Sequence, residues 1–187
     1  MTDDQQERKA EAFARNAFKD TVDRLGRPSI LHVEAVVAAC RTPAARTVAW
    51  LHDIVEDTAT TLADLHLEGF DEDIVDNVDA LTRRQNESYT AYIDRAKVVG
   101  KVVIEVKHAD LNHNRNRTHE LGNDAAASLN ARYDAALAII APLDIKAKRK
   151  NRPASQEESS MVSDGRIEDD KSKQEVSLNQ TSNLENT

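Results

Sequence analysis

Apolar residues recur at steps of three and four along roughly the first 140 positions, the spacing that places side chains on one face of an α-helix. Ala10, Phe13 and Ala17 follow this spacing near the start of the chain. Glycines and prolines fall between the periodic intervals and mark their ends. The pattern predicts helices over about 5–24, 31–41, 43–56 and 61–67, after Asp71 and after Ser88, and over about 101–116 and 123–141.

One segment could form either a helix or a strand. The Val-Val-Ile run at 102–104 is β-branched, as strand residues often are. A helix over about 101–116 is favoured, because Val106 and Asp110 keep helical spacing with Val103. The sequence therefore predicts an all-α fold of seven or eight helices without a strand pair.

The last part of the chain has a different composition. Residues 145–187 contain nine apolar side chains and no aromatic one, which is too little apolar surface to order such a segment. We expect one folded domain over 1–144 and a disordered polar tail over 145–187. A tail that binds a partner is the second interpretation.

Composition and charge exclude several classes of protein. Cys40 is the one cysteine, which rules out disulfide scaffolds and multi-cysteine zinc modules. The N-terminus lacks the apolar segment of a secretion signal, and no apolar run approaches the roughly 18 residues of a membrane span. A cytoplasmic protein with no membrane partner is therefore expected. The net charge of −8 argues against a nucleic-acid partner, since phosphate backbones are bound through Lys and Arg.

Residues 51–58, which read Leu-His-Asp-Ile-Val-Glu-Asp-Thr, are the most informative stretch of the chain. On a helix that turns about 100° per residue, its four ionisable groups project from one side; they are His52, Asp53, Glu56 and Asp57. Carboxylates this close repel one another unless they have a cationic partner, which a divalent metal would supply. The alternative is an exposed acidic helix end, but acidic residues favour the first turn of a helix and these lie in its last.

Two other predicted helices carry residues of matching chemistry. His32 heads an apolar helix, and Asp110 and Asn114 lie four residues apart on the face that begins with Val103 and Val106. An apolar stripe that changes to Asp and Asn suggests the wall of a pocket. Each residue alone is more often structural than functional. Together they give the pattern His, His-Asp, Asp over three helices.

This pattern resembles the HD-domain phosphohydrolases, and within them the RelA/SpoT-type alarmone hydrolases and the single-domain small alarmone hydrolases. The resemblance covers about residues 8–141 and implies an HD-domain helical bundle. Its segments are Gly26-Arg27-Pro28-Ser29-Ile30-Leu31-His32, the stretch 51–58, Ala109-Asp110 with Asn114, Ala80-Leu81-Thr82-Arg83, Tyr89, Tyr92 and Arg132-Tyr133. Where the family commonly has Tyr before the His loop and Pro after the His, this chain has Ser29 and Val33.

The resemblance implies a role for each matched residue. One divalent ion, Mn²⁺ in this branch with Fe²⁺ or another divalent cation as alternatives, would be bound by His32, His52, Asp53 and Asp110. The attacking water would be oriented and deprotonated by the pair Glu56 and Asp57. Contacts to the nucleotide are expected from Arg24, Arg27, Asn114 and Arg115, with Arg117 as a further candidate for phosphate.

The implied reaction removes the 3′-diphosphate of guanosine tetraphosphate or pentaphosphate as pyrophosphate and leaves GDP or GTP. One alternative is an HD-domain phosphohydrolase for another nucleotide, such as a nucleoside monophosphate or an adenosine alarmone, because Arg24 and Ser29 depart from the family pattern. Another is a nucleotide-binding module that has lost catalysis. The expected partner is a small-molecule nucleotide, and the sequence leaves a homo-oligomer open.

Overall fold

A computed structural model of the chain describes residues 1–120 and 123–141, with side chains except at positions 123 and 124. These residues form α-helices and one 3₁₀ turn, which confirms the predicted all-α class. The helices are α1 Asp3–Ala17, α2 Ile30–Ala39, α3 Pro43–Leu51, α4 Ile54–Asp57, α5 Leu62–Leu67, α6 Glu72–Leu81, α7 Tyr89–Val99, α8 Lys101–Asn116 and α9 Asn123–Ile140, and the 3₁₀ turn is Thr118–Glu120. The predicted tail over 145–187 and the domain boundary before it lie outside the described residues. No helix in the described part is long and apolar enough to cross a bilayer.

Several helices begin where the sequence predicts them, because side chains cap their first backbone N–H groups. The Thr61 hydroxyl accepts from the N–H of Asp64, whose carboxylate accepts from the N–H of Thr61, so the predicted capping box is present. Ser88 caps α7 in the predicted way by accepting from the N–H of Ala91. The run at 102–104 is helical, as favoured from its spacing.

The first helix is shorter than predicted, since it ends at Ala17 instead of near position 24. Phe18 is buried, and the chain turns after it into a loop in which Asp23 N–H donates to the carbonyl of Arg27. Gly26 sits in this loop at φ 75°, a conformation that glycine adopts without steric cost. Leu25 continued the helical spacing but lies largely exposed here. The result is a loop over residues 18–28 that lies beside the candidate site.

The predicted helix over 43–56 is interrupted. Helix α3 ends at Leu51 and α4 begins at Ile54, with Asp53 between them at φ −103° and ψ 2°. That conformation lies in the sparsely allowed region where many active-site residues are found. On an unbroken helix His52 and Asp53 would diverge by about 100°. The interruption lets both side chains reach one point, with His52 Nε2 3.1 Å from Asp53 Oδ2.

Helix α3 lies at the centre of the bundle, where it contacts α1, α2, α6 and α8. Its residues Val48, Ala49 and Leu51 are fully buried, as is Ile54 at the start of α4. Helix α8 contributes the buried Val103 and Val106, two turns and one turn before Asp110 respectively. The end of α3, the start of α4 and the part of α8 that carries Asp110 are therefore held by buried core residues.

Candidate metal centre and substrate cavity

The four residues expected to bind a metal come together around the His32 ring: ligand atoms of His32, His52 and Asp53 form one compact group, and Asp110 contacts that group through His32. His32 comes from the first turn of α2, His52 and Asp53 from the junction of α3 and α4, and Asp110 from α8. The Nε2 atom of His32 is 3.2 Å from His52 Nε2, 3.2 Å from Asp53 Oδ2 and 3.4 Å from Asp110 Oδ1. Three helical segments that are distant in sequence thus converge on the His32 ring.

These donors fit a divalent cation. Ligand atoms from His32, His52 and Asp53 all lie within 4.8 Å of one another. Two ligands about 2.1 Å from one ion and at right angles lie about 3 Å apart, close to the separations seen here. The Nδ1 atom of His52 is 2.7 Å from the carbonyl oxygen of Ala49. Since only a protonated Nδ1 can donate to that carbonyl, Nε2, which faces the cluster, is the nitrogen that would give up its proton and bind a cation.

The charges of the cluster also suit a cation. Burial lowers the pKa of His32, but hydrogen bonds with Asp110 and Asp53 outweigh burial and raise that pKa to about 10. Burial raises the pKa of Asp53, but the charge of His52 and a hydrogen bond from His32 hold it well below its usual value. Asp53 is thereby kept anionic, the form that binds metal, and a bound cation would replace the proton that His32 shares with it.

Lys107 is a component of the site that the sequence reasoning missed. Its side chain is buried, and Nζ donates to Asp110 Oδ2 over 2.7 Å and lies 4.7 Å from the centre of the Tyr92 ring. Burial raises the pKa of Asp110, but the Lys107 charge and a hydrogen bond from His32 together outweigh burial and lower that pKa. Asp110 Oδ1 remains directed to His32 and accepts from Asn114. The sequence did carry one signal for this role: Lys107 stands three residues before Asp110 on a core-facing stripe.

Glu56 and Asp57 lie beside the cluster and are partly exposed. Glu56 Oε1 accepts from the backbone N–H of Arg83 over 2.6 Å, which fixes its carboxylate against the loop after α6. Burial, followed by the repulsion of Asp53, raises the pKa of Asp57 above its usual value. Burial also raises the pKa of Glu56, more than the Arg83 hydrogen bond lowers it. The pair therefore has the raised basicity that proton acceptance requires.

A cavity of about 410 Å³ opens directly onto this cluster, with His32, Asp53 and Asp57 in its wall. Its other walls are partly apolar and partly charged, with three arginines and the acidic residues Asp23 and Glu120. The lining includes Phe18, Val22, Leu25, Leu129, Tyr133, Arg24, Arg117, Arg132 and Asn114. A cavity of this size with apolar walls and a few polar groups is typical of a small-molecule site.

The residues expected to contact a nucleotide divide into two groups. Arg24 and Asn114 line the cavity, as does Arg117. Arg27 and Arg115 are not among its lining residues. Arg27 forms a bidentate pair with Glu120 at 3.0 and 2.7 Å, and Arg115 pairs with an acidic side chain of α9. These two arginines are therefore paired with acidic side chains, as is Arg117 with Asp23 and Glu120.

Arg132 is a cavity residue to which the sequence reasoning gave no role in binding. Its guanidinium lies 4.8 Å from the centre of the Tyr89 ring and 5.4 Å from that of Tyr133. Contacts with both ring faces favour a cation at this position. The sequence did carry a signal for Arg132, because the Arg132-Tyr133 pair was part of the family resemblance.

No family model and no curated relative matches the chain. Among solved structures, one described as a metazoan ortholog of SpoT that hydrolyses ppGpp matches with a TM-score of 0.64 and 16% identity. The match covers 78% of this chain and 96% of the other. The two chains share a fold. This all-helical fold is consistent with the helical bundle that the resemblance at His32, His52-Asp53 and Asp110 implied.

Proposed function

We propose that this chain is a divalent-metal-dependent phosphohydrolase that removes the 3′-diphosphate of guanosine tetraphosphate or pentaphosphate, leaving GDP or GTP and releasing pyrophosphate. The observation that carries the proposal is a cluster of two imidazoles and two carboxylates in the wall of an arginine-lined cavity. The fold shared with a ppGpp hydrolase supports this substrate class.

His32, His52, Asp53 and Asp110 are the proposed ligands, and Mn²⁺ is the proposed ion. A mixed set of imidazole and carboxylate donors suits Mn²⁺ or Fe²⁺ better than a metal that prefers thiolates. When bound, the cation would activate water near neutral pH and offset the negative charge that builds on phosphorus.

Asp57 and Glu56 are the proposed proton acceptors for the attacking water. Asp57 is in the cavity wall beside Asp53, and Glu56 is fixed next to it by Arg83. As water attacks the phosphorus attached to the ribose O3′, its proton passes to this acidic pair. The bond between that phosphorus and O3′ breaks, and O3′ takes up a proton from solvent.

Arg24, Arg117, Arg132 and Asn114 are the proposed contacts to the nucleotide. Within the described residues, Arg24 and Arg132 form no ion pair, so their guanidinium groups are available to phosphate oxygens. Arg27 and Arg115 are not part of the proposed cavity. The apolar wall on the side of Phe18 and Leu129 would accept a base.

A second candidate substrate is another nucleotide, with the same metal centre and the same acidic pair. It is favoured by the pairing of Arg117 with Asp23 and Glu120, which leaves fewer cations for a substrate with four or five phosphates. A substrate of lower charge, such as a nucleoside monophosphate, would need fewer cationic side chains in the cavity.

The two substrates are separated by product analysis. The purified full chain is incubated with Mn²⁺ and labelled ppGpp, and in parallel with a panel of other nucleotides, each with and without a chelator. We expect pyrophosphate and GDP from ppGpp, and no product when the chelator is present. Release of orthophosphate alone, or preferred turnover of another nucleotide, would reject the alarmone assignment.

The substitution Glu56→Gln separates proton acceptance from metal binding. The amide keeps an oxygen for the Arg83 N–H but cannot accept a proton, so we expect kcat to fall by about 10²–10⁴-fold. Mn²⁺ affinity, measured by titration calorimetry, should stay within about threefold of wild type, because Glu56 is not a proposed ligand. Glu68→Gln, at an exposed glutamate, is the matched control. Unchanged kcat in Glu56→Gln would remove Glu56 from the mechanism.

A further inference from the structure

His113 on α8 lies against the outer edge of the His32 ring. The two Nδ1 atoms are 2.7 Å apart, and the ring centres are 4.8 Å apart with planes at 43°. His113 is half-buried and comes three residues after Asp110 on the same helix. The His32 ring is thus held between the cluster on its Nε2 side and His113 on its Nδ1 side.

The short distance between the two Nδ1 atoms fixes where the proton lies. Two lone pairs or two N–H groups would repel at 2.7 Å, so one atom donates and the other accepts. His32 Nε2 faces His52, Asp53 and Asp110, so Nε2 is the atom that would hold a cation. A histidine that binds through Nε2 carries its proton on Nδ1. His32 is therefore the donor, and His113 Nδ1 is the acceptor.

We infer that His113 is a positioning residue for the metal centre: it fixes the tautomer and the ring orientation of His32. This inference rests on the proposed metal site. His52 has a backbone carbonyl, that of Ala49, in the equivalent position. Metal-binding histidines usually donate to a carboxylate, a carbonyl or water, and loss of such a partner typically lowers metal affinity 10–100-fold. Here a second imidazole provides the acceptor.

Two substitutions at position 113 separate hydrogen bonding from packing. His113→Leu removes the acceptor, whereas the side-chain oxygen of His113→Asn lies near the former Nδ1 position and still accepts. We expect Mn²⁺ affinity to fall by about 10–100-fold in His113→Leu and to stay within about threefold in His113→Asn. His108→Leu, at an exposed histidine on the same helix, is the control and should bind as wild type does.

The affinities are measured by titration calorimetry on the full chain, with circular dichroism as the check on folding. Wild-type affinity in His113→Leu, or equal losses in both variants, would overturn the inference while leaving the metal site intact. Failure of the wild-type protein to bind Mn²⁺ would instead overturn the metal site itself, and the role of His113 with it.

A second measurement needs no substitution. In protein loaded with Zn²⁺ as a diamagnetic probe, imidazole ¹⁵N chemical shifts report which ring nitrogen carries each proton. We expect the proton on Nδ1 of His32 and on Nε2 of His113. A proton on Nδ1 of His113 would show that His113 is not the acceptor, and would overturn the inference.

Discussion

Replacing Asp53 by Asn is expected to lower kcat/KM by about 10³-fold or more and to abolish tight Mn²⁺ binding. The amide keeps the shape of the side chain but removes the negative charge that lies 3.1–3.2 Å from both imidazoles. Asp53 also occupies the break between α3 and α4, the position that lets its carboxylate contact both histidines. Turnover of ppGpp and calorimetric titration with Mn²⁺ measure the two effects.

The matched control is Asp94→Asn, since Asp94 is an exposed aspartate on α7, away from the cluster. It should leave turnover and Mn²⁺ affinity unchanged. Asp110→Ala is expected to behave as Asp53→Asn does, because it removes the other carboxylate that contacts His32. Normal turnover in either variant at Asp53 or Asp110 would contradict the proposed ligand set.

Lys107→Met is expected to cost about 3 kcal/mol of unfolding free energy in metal-free protein. The substitution leaves the buried Asp110 carboxylate without its closest cation, and removing one partner of a buried pair typically costs about 3–5 kcal/mol. We expect the lower end of that range because His32 and Asn114 still contact the other oxygen of the Asp110 carboxylate. Urea denaturation measures the change.

The double variant Lys107→Met with Asp110→Asn should be more stable than Lys107→Met alone, since it leaves no uncompensated buried charge. Lys101→Met, at an exposed lysine on the same helix, is the control and should change stability little. Additive effects of the two substitutions would show that Lys107 and Asp110 are not coupled in the folded state.

Most of the fold could be predicted because helical spacing and capping residues are local signals. Thr61 and Ser88 cap the helices that their positions indicated. The end of α1 could not be predicted, because Leu25 kept the helical spacing while the burial of Phe18 turned the chain earlier. The break at His52 and Asp53 also carries no local signal, since nothing in the surrounding residues forbids a continuous helix.

The metal-ligand candidates could be found in sequence because their residue types and spacing are unusual for core-facing positions. Their partners were harder to find, because a buried lysine or a second histidine acquires a role only through what it touches. Lys107 contacts Asp110 and His113 contacts His32, and neither contact has a sequence pattern of its own. Arg132 had a partial signal in the sequence, because Tyr133 follows it directly. Its other ring contact, Tyr89, comes from a different helix and could not be read from the sequence.

His32, His52, Asp53 and Asp110 are proposed to bind one divalent cation together. Crystals of the full chain grown with Mn²⁺ test this proposal through anomalous diffraction recorded near the manganese edge. We expect one strong anomalous peak within coordination distance of all four side chains. A peak at another place, or none at a Mn²⁺ concentration that supports turnover, would contradict it.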